Sequence, residues 1–233
     1  MLPVTLGACS GEVPPPELPP LPQKLAPAGF GPSGPVAPLR EAILAFTAEV
    51  RGEIEPCGCP TVPYGGFVRR EALLGRLRAE GLPVFVIDAG EMLVRGQVAA
   101  DPGDRPERAR AVLDLAARTG LDAWAPGPVD LLAGGLRTLS GTNALAATWR
   151  DATGEAPFPA ATVIERDGFR LGVVGLNASA SGLTHADPVE AARAAIAGGG
   201  EADTWVALSN LADADALRVA ESVPGLGAVL SAR

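Results

Sequence analysis

Residues 161–176 read ATVIERDGFRLGVVGL, two apolar runs on either side of Asp167-Gly168. An Asp-Gly pair between apolar runs signals a two-residue β-hairpin turn, because both central residues must take positive φ. The rest of the chain does not repeat that pattern. AILAF at 42–46 and VFVI at 84–87 read as buried strands, and DAWAPG (122–127), NALAAT (143–148), TWVALS (204–209) and GAVLS (227–231) as further strands. Between them lie segments of helical period. Residues 68–80 put Leu73, Leu74 and Leu77 on one face and stop at Gly81, and residues 105–120 carry Pro106 near the start and end on Gly120. Residues 131–139, 187–199 and 213–222 read as helices too. Strands alternating with helices around a single hairpin place the chain in the α/β class with a mixed sheet. In such folds ligands collect at the carboxyl ends of the strands, so the residues just after each strand are the ones to read for chemistry.

Composition excludes some partners. The formal net charge is −8 and Lys24 is the only lysine, which argues against nucleic acid and anionic membrane surfaces without excluding a local arginine patch. Three cysteines cannot build a disulfide framework. No apolar run reaches the length of about eighteen residues that a spanning helix requires. Near the N-terminus, Leu6-Gly7-Ala8-Cys9 has the form of a lipoprotein box, with Cys9 as the lipidated residue, in a stretch taken here as 1–10. The apolar stretch before it is short and no basic residue precedes it, so either the true start lies upstream or Cys9 is a free thiol in a tail. Residues 11–38, GEVPPPELPPLPQKLAPAGFGPSGPVAP, read as a proline-rich, extended linker able to hold a domain off a membrane, or as an extension with no role. A folded domain is expected over 39–233.

The strand ends read TAEVRG (47–52), DAGEM (88–92), APGPVD (125–130), ALSNLAD (207–213) and VLSAR (229–233), with GGFVRR at 65–70 opening the first helix. In order and spacing, from about Ala42 onward, this framework resembles the phosphoesterase domain of the 5′-nucleotidase family of calcineurin-like metallophosphatases. The cysteine pair in EPCGCP, after the first strand, resembles an exported bacterial subgroup that carries eroded ligands and occurs beside multihaem cytochromes. The resemblance implies a metallophosphoesterase-like α/β/β/α sandwich with mixed β-sheets, lacking the nucleotide-specificity domain that follows in the family.

It also implies a pocket whose ligands have changed. Glu49 and Arg51 stand where the family has Asp and His, and Glu91 where it has a bridging Asp. Pro128 and Val129 replace Asn and the acid-base His, Asn210 replaces the next His, and the final His-x-His falls on Ser231, Ala232 and Arg233. A two-metal hydrolase holds its cations about 4 Å apart with bridging carboxylate and neutral imidazole, so ordinary two-metal hydrolysis is not expected. The sole histidine, His185, is expected in an exposed loop.

Other chemistry remains open. Cys57-Gly58-Cys59 cannot complete a tetrahedral zinc site but could hold Cu(I), cycle between dithiol and disulfide, or simply staple its loop. Glu49, Glu91 and Asp130, at three adjacent strand ends, could bind one hard cation, or could face water or pair with Arg51, Arg69 or Arg70. Gly65 and Gly66 before a helix, with Arg69 and Arg70 behind, could take a small anion or could merely allow a tight turn. The reading adopted is an exported, degenerate metallophosphoesterase-like protein of the periplasm or cell envelope, lipid-anchored if Cys9 is processed. It does not hydrolyse phosphoesters and uses the Cys-Gly-Cys loop for soft-metal, redox or partner binding. The alternatives are a metal-dependent phosphoesterase with an unusual ligand set and a structural subunit of an envelope or cytochrome complex.

Overall fold

The computed structural model describes residues 40–56, 65–95 and 104–232. Cys9, the 1–10 and 11–38 segments, Cys57, Cys59 and Arg233 lie outside the described residues. In chain order the strands are β1 (Ile43–Thr47), β2 (Val84–Asp88), β3 (Ala123–Trp124), β4 (Trp149–Arg150), β5 (Ala161–Arg166), β6 (Phe169–Leu176), β7 (Thr184–His185), β8 (Thr204–Ser209) and β9 (Leu226–Ser231). The helices are α1 (Phe67–Arg78), α2 (Arg105–Arg118), α3 (Leu136–Leu139), α4 (Pro188–Gly199) and α5 (Asp213–Ser222). One sheet runs β1-β2-β3, all parallel. A second runs β5-β6-β8-β9, with β5 antiparallel to β6 and the remaining pairs parallel, and β4 and β7 form a small antiparallel pair of their own.

Side-chain alternation along these strands builds the layers. In β2, Phe85 and Ile87 point at the second sheet and meet Leu171, Val173, Val206 and Leu208. Val84 and Val86, one residue out of phase, pack on Leu74 of α1. In the second sheet Val174, Leu176, Trp205 and Ala207 face outward onto Val189, Ala192 and Ala195 of α4 and Val219 of α5. Strands apolar on both faces need a layer on each side, and the result is the α/β/β/α sandwich. α2 lays Ala109, Val112 and Ala116 against Met92, Leu93, Trp124 and Leu139, closing a separate apolar cluster. α4 begins where Asp187 accepts hydrogen bonds from the Val189 and Glu190 amides, with Pro188 in the first turn. Among the described residues no helix is long and apolar enough to cross a membrane.

The hairpin forms as expected, with Asp167 and Gly168 at φ 48° and 74° between β5 and β6. Three expectations need correction. NALAAT at 143–148 is not a strand. Ala144 makes one isolated bridge to Trp124, while Leu145, Ala146 and Ala147 donate to Trp124, Pro159 and Gly175 respectively, so no single ladder forms. Residues 131–139 are not one helix. A 3-10 turn over Asp130–Ala133 stops at Gly134 and Gly135, whose φ values of 129° and 70° no helix contains, and α3 follows as one turn. His185 is exposed but not in a loop: it lies in β7, which pairs with β4.

Candidate functional site

β1, β2, β3, β6, β8 and β9 run parallel within their sheets, and their carboxyl ends hold the residues that sequence reasoning singled out. β1 and β2 stay paired past their ends: Glu49, Arg51 and Gly52 donate from the backbone to the Gly90, Glu91 and Met92 carbonyls at 2.9 Å each. Along this stretch Glu49, Arg51 and Glu91 take φ of 53°, 52° and 54°. Left-handed backbone costs a residue bearing a Cβ about 1–2 kcal/mol. Strain is thus concentrated at three of the pocket positions.

Arg51 pairs with Glu49 and lies 4.0 Å from Glu91 Oε2. Glu49 and Arg51 are exposed, whereas Glu91 is largely shielded. Asp130 is fully buried and engages both oxygens. Oδ1 accepts from the Leu93 amide at 2.8 Å, and Oδ2 from the Gly127 and Glu91 amides at 2.8 and 3.0 Å. Its carboxylate therefore braces the loops after β2 and β3. Pro128 and Val129 lie between, partly buried, and offer no ligand atom.

Asn210, after β8, is also fully buried. Its Nδ2 donates to the Ala125 and Ala89 carbonyls at 3.0 and 3.3 Å, and its Oδ1 accepts from the Ala178 amide at 2.7 Å. One side chain thus ties together the ends of β2, β3 and β6. Gly90 makes this possible: at φ 113°, a Cβ there would strike the Ala125 oxygen and come within 2.7 Å of Asn210 Nδ2.

Two buried groups were missed by sequence reasoning. Asp88, at the last position of β2, accepts from Thr47 Oγ1 at 2.6 Å and from the Gly90 amide at 2.8 Å. An aspartate closing an otherwise apolar strand was the available signal. Asn177, after β6, donates to the Pro126 and Leu145 carbonyls at 2.9 and 3.1 Å, and its own carbonyl accepts from Thr148 Oγ1 and His185 Nε2. Nothing in GLNASA distinguishes it. Next to Gly65 and Gly66, the Phe67 amide donates to the Ile54 carbonyl, so one amide at the start of α1 is already engaged. Arg70 stacks over the Phe67 ring at 5.4 Å, and its two terminal nitrogens are buried without a hydrogen-bond partner among the described residues. Burial lowers its pKa, opposed by the charges of Asp88 and Glu71. Arg69 lies beside it on α1, partly buried.

Burial raises the Asp88 pKa to about 6, against the lowering effect of Thr47, Gly90 and Arg70. It raises that of Asp130 to about 7, against the bonds from Leu93, Gly127 and Glu91 and with a further push from Asp88. A carboxyl whose folded pKa exceeds its unfolded value binds its proton more tightly when folded. It favours the fold most at low pH, and that contribution is lost as pH rises from about 4 to the folded value. Asp88→Asn removes the titration while keeping a carbonyl acceptor for the Gly90 amide, and the Thr47 hydroxyl, which donates to Asp88 in the parent, can turn to accept from the new amide nitrogen. The variant is expected to exceed the parent in stability at pH 8 by about 1–3 kcal/mol, the gap closing near pH 4. Denaturant melts of both proteins at pH 4, 6 and 8 measure this; a constant gap would contradict it.

Among the described residues no three His, Cys, Asp or Glu side chains are placed to hold a metal ion. The donors needed for a two-metal centre do not fit. Asp130 and Asn210 are committed to backbone, Glu49 is paired with Arg51, the one imidazole is in β7, and Ala232 brings no ligand atom.

No protein-family model matches the sequence, and no curated protein matches it. Solved structures do match the fold. A 5′-nucleotidase precursor from Thermus thermophilus superposes with TM-score 0.66 at 22% identity, covering 82% of this chain and 41% of its own. The sulfate thiohydrolase SoxB of Thermus thermophilus superposes with TM-score 0.66 at 20% identity, over 84% of this chain and 48% of its own. The calcineurin-like phosphoesterase YfkN of Bacillus subtilis gives TM-score 0.60 at 15% identity, over 81% and 70%. The chain spans less than half the length of the first two. Its fold is that of the calcineurin-like metallophosphoesterases.

Proposed function

We propose that this metallophosphoesterase-like domain does not hydrolyse phosphoesters, and that its old pocket has become a hydrogen-bonded scaffold. One observation carries the reading: Asn210 stands where the resemblance puts a histidine ligand and commits both polar atoms of its amide to three strand ends. A side chain so engaged has its nitrogen on two carbonyls and its oxygen on an amide, fully buried among the strand ends, and carries no imidazole nitrogen for a cation. Asp130 supports the reading through its three backbone bonds, and the Arg51 guanidinium places a fixed positive charge where the family has an imidazole. The left-handed backbone at Glu49, Arg51 and Glu91 is consistent with a loop geometry inherited from an active ancestor.

Export is part of the proposal. It rests on the Leu6-Gly7-Ala8-Cys9 box, the proline-rich 11–38 segment, and the likeness to a protein described as a precursor. The Cys57-Gly58-Cys59 loop, next to this scaffold in sequence, is the proposed working element. It would bind Cu(I), cycle between dithiol and disulfide, or engage an envelope or cytochrome partner.

The test is an assay of adenosine 5′-monophosphate and bis(p-nitrophenyl) phosphate hydrolysis with Mn²⁺, Zn²⁺ or Mg²⁺ added, alongside Cu(I) titration and a thiol count. The expected result is no metal-stimulated hydrolysis, with Cu(I) uptake lost in both Cys57→Ser and Cys59→Ser. Turnover above about 1 s⁻¹, an ordinary enzymatic rate, that disappears in Glu91→Ala would establish the phosphoesterase alternative instead.

A further inference from the structure

The two main sheets end together on one side of the sandwich. β1 closes the first and β9 the second, and among the described residues β1 pairs only with β2 and β9 only with β8. Arg166, the last residue of β5, donates to the Val84 carbonyl and pairs with Asp122 just ahead of β3, so β5 lies on the β3 side. β1 and β9 therefore share the remaining edge, where Leu44 of β1 and Ala228 and Leu230 of β9 pack on the same inter-sheet cluster. Phe46 shows that this edge is open. It stands in register beside Ile87 of β2, so both side chains project toward the second sheet. Ile87 is 0% exposed, yet Phe46 is 47% exposed. The second sheet covers β2 and stops short of the end of β1, which leaves an aromatic ring at the mouth of the gap between the sheets.

Exposed edges are ordinarily blunted by charged residues, proline or a bulge that turns the strand away. ILAFT in β1 and LGAVLS in β9 contain no charged residue and no proline, in a chain that is 20% charged. The edges on the other side differ: β5 ends in Glu165 and Arg166, and β3 is met by a bridge from Ala144. An apolar, uncharged edge is a template for another strand. The proline-rich 11–38 segment is a poor candidate, since it holds no proline-free run longer than four residues and each proline lacks a ladder donor. One added strand from a peptide would cover one sheet and leave the other open. A second copy covers both, because a two-fold axis normal to the sheets sets β1 against its counterpart and β9 against its counterpart, each pair antiparallel. Each copy carries a formal net charge of −8, but these strands bring none of it to the contact. We infer that the β1/β9 edge is a self-association surface through which two copies of this chain join their sheets, with Phe46 at the centre of the contact. The surface is independent of the strand-end scaffold and of the cysteine loop, so it stands or falls separately from the proposed function.

Sedimentation of the whole chain from about 1 to 200 µM should show monomer passing to dimer, with a dissociation constant in the micromolar range. Phe46→Lys places two like charges on the contact and should weaken association at least about tenfold. The melting temperature of the dilute variant should stay within about 2 °C of the parent. Leu132→Lys, which charges an exposed apolar position on the 3-10 turn near β3, should leave association unchanged. A second measurement needs no variant: raising the parent's concentration over the same range should slow amide exchange in β1 and β9 and leave β5 as it was. A chain still monomeric at about 200 µM, association untouched by Phe46→Lys, or slowing that misses β1 and β9 would each overturn the inference. So would β1 and β9 amides protected alike at every concentration, which would mean that the edge is covered within one chain.

Discussion

Replacing Asn210 with alanine is expected to lower the melting temperature by about 10 °C, the largest effect of any single change at the strand ends. The side chain is fully buried and makes three hydrogen bonds, to Ala89, Ala125 and Ala178, which belong to three separate loops. Truncation leaves the Ala178 amide without its acceptor and removes a donor from two carbonyls, in a place that water reaches poorly. A buried polar group left unsatisfied costs about 1–3 kcal/mol, and the cavity adds to this, so a loss of about 3–5 kcal/mol is expected. Asn210→Asp separates hydrogen bonding from volume. It keeps the shape but turns the donor into an acceptor facing two carbonyls, so it should also be strongly destabilised at pH 8. Asn210→His supplies an imidazole where the resemblance puts one, but Pro128, Val129 and the Arg51–Glu49 pair remain, and no hydrolysis should appear. Melting temperatures of the alanine and aspartate variants within about 2 °C of the parent would show that Asn210 is not the tie described.

Asp130→Ala is expected to cost about 3 kcal/mol at pH 8, less than its three backbone bonds suggest. The two opposing effects can be weighed. Loss of the carboxylate leaves the Glu91, Leu93 and Gly127 amides without their acceptor. Against that, burial holds the Asp130 pKa at about 7, so at pH 8 the native state keeps a costly buried charge that the variant does not have. The bonds win because three donors converge on one group, and no other acceptor is positioned to replace it. Asp130→Asn should fall between parent and alanine, since one of its two terminal atoms can still accept. Amide hydrogen exchange gives the direct readout. Exchange at Leu93 and Gly127 should accelerate in Asp130→Ala while the β6 and β8 amides stay protected. Unchanged exchange at those two amides would mean that the loops are held by other contacts.

Much of this architecture was legible in local sequence. The hairpin at Asp167-Gly168, the buried strands around VFVI and LGVVGL, and the helices at 67–78 and 105–118 follow from periodicity and turn chemistry, which act over a few residues. NALAAT shows the limit of that reading. Its composition suits a strand, but its amides go to three different segments, and no local pattern records which neighbours a segment will meet. The 131–139 region failed in the opposite direction, since Gly134-Gly135 was a visible break overridden by the apolar residues on either side.

By itself the sequence determined that no histidine follows β1, β2, β3, β8 or β9, that Arg51 follows the first strand, and that the chain is α/β with one hairpin. Those are statements about residue identity and short-range pattern. The tertiary structure alone decided what the replacement residues do. Asn210 is 85 residues from Ala125 and 121 from Ala89, and the hydrogen bonds between them exist only because parallel strands bring their carboxyl ends to one place. The same is true of Asp88, an ordinary aspartate in the sequence whose pKa is raised by burial that only the packed sheets supply. Hydrogen bonding, desolvation and charge all depend on distance in space, and for residues this far apart in the chain that distance is set by the fold.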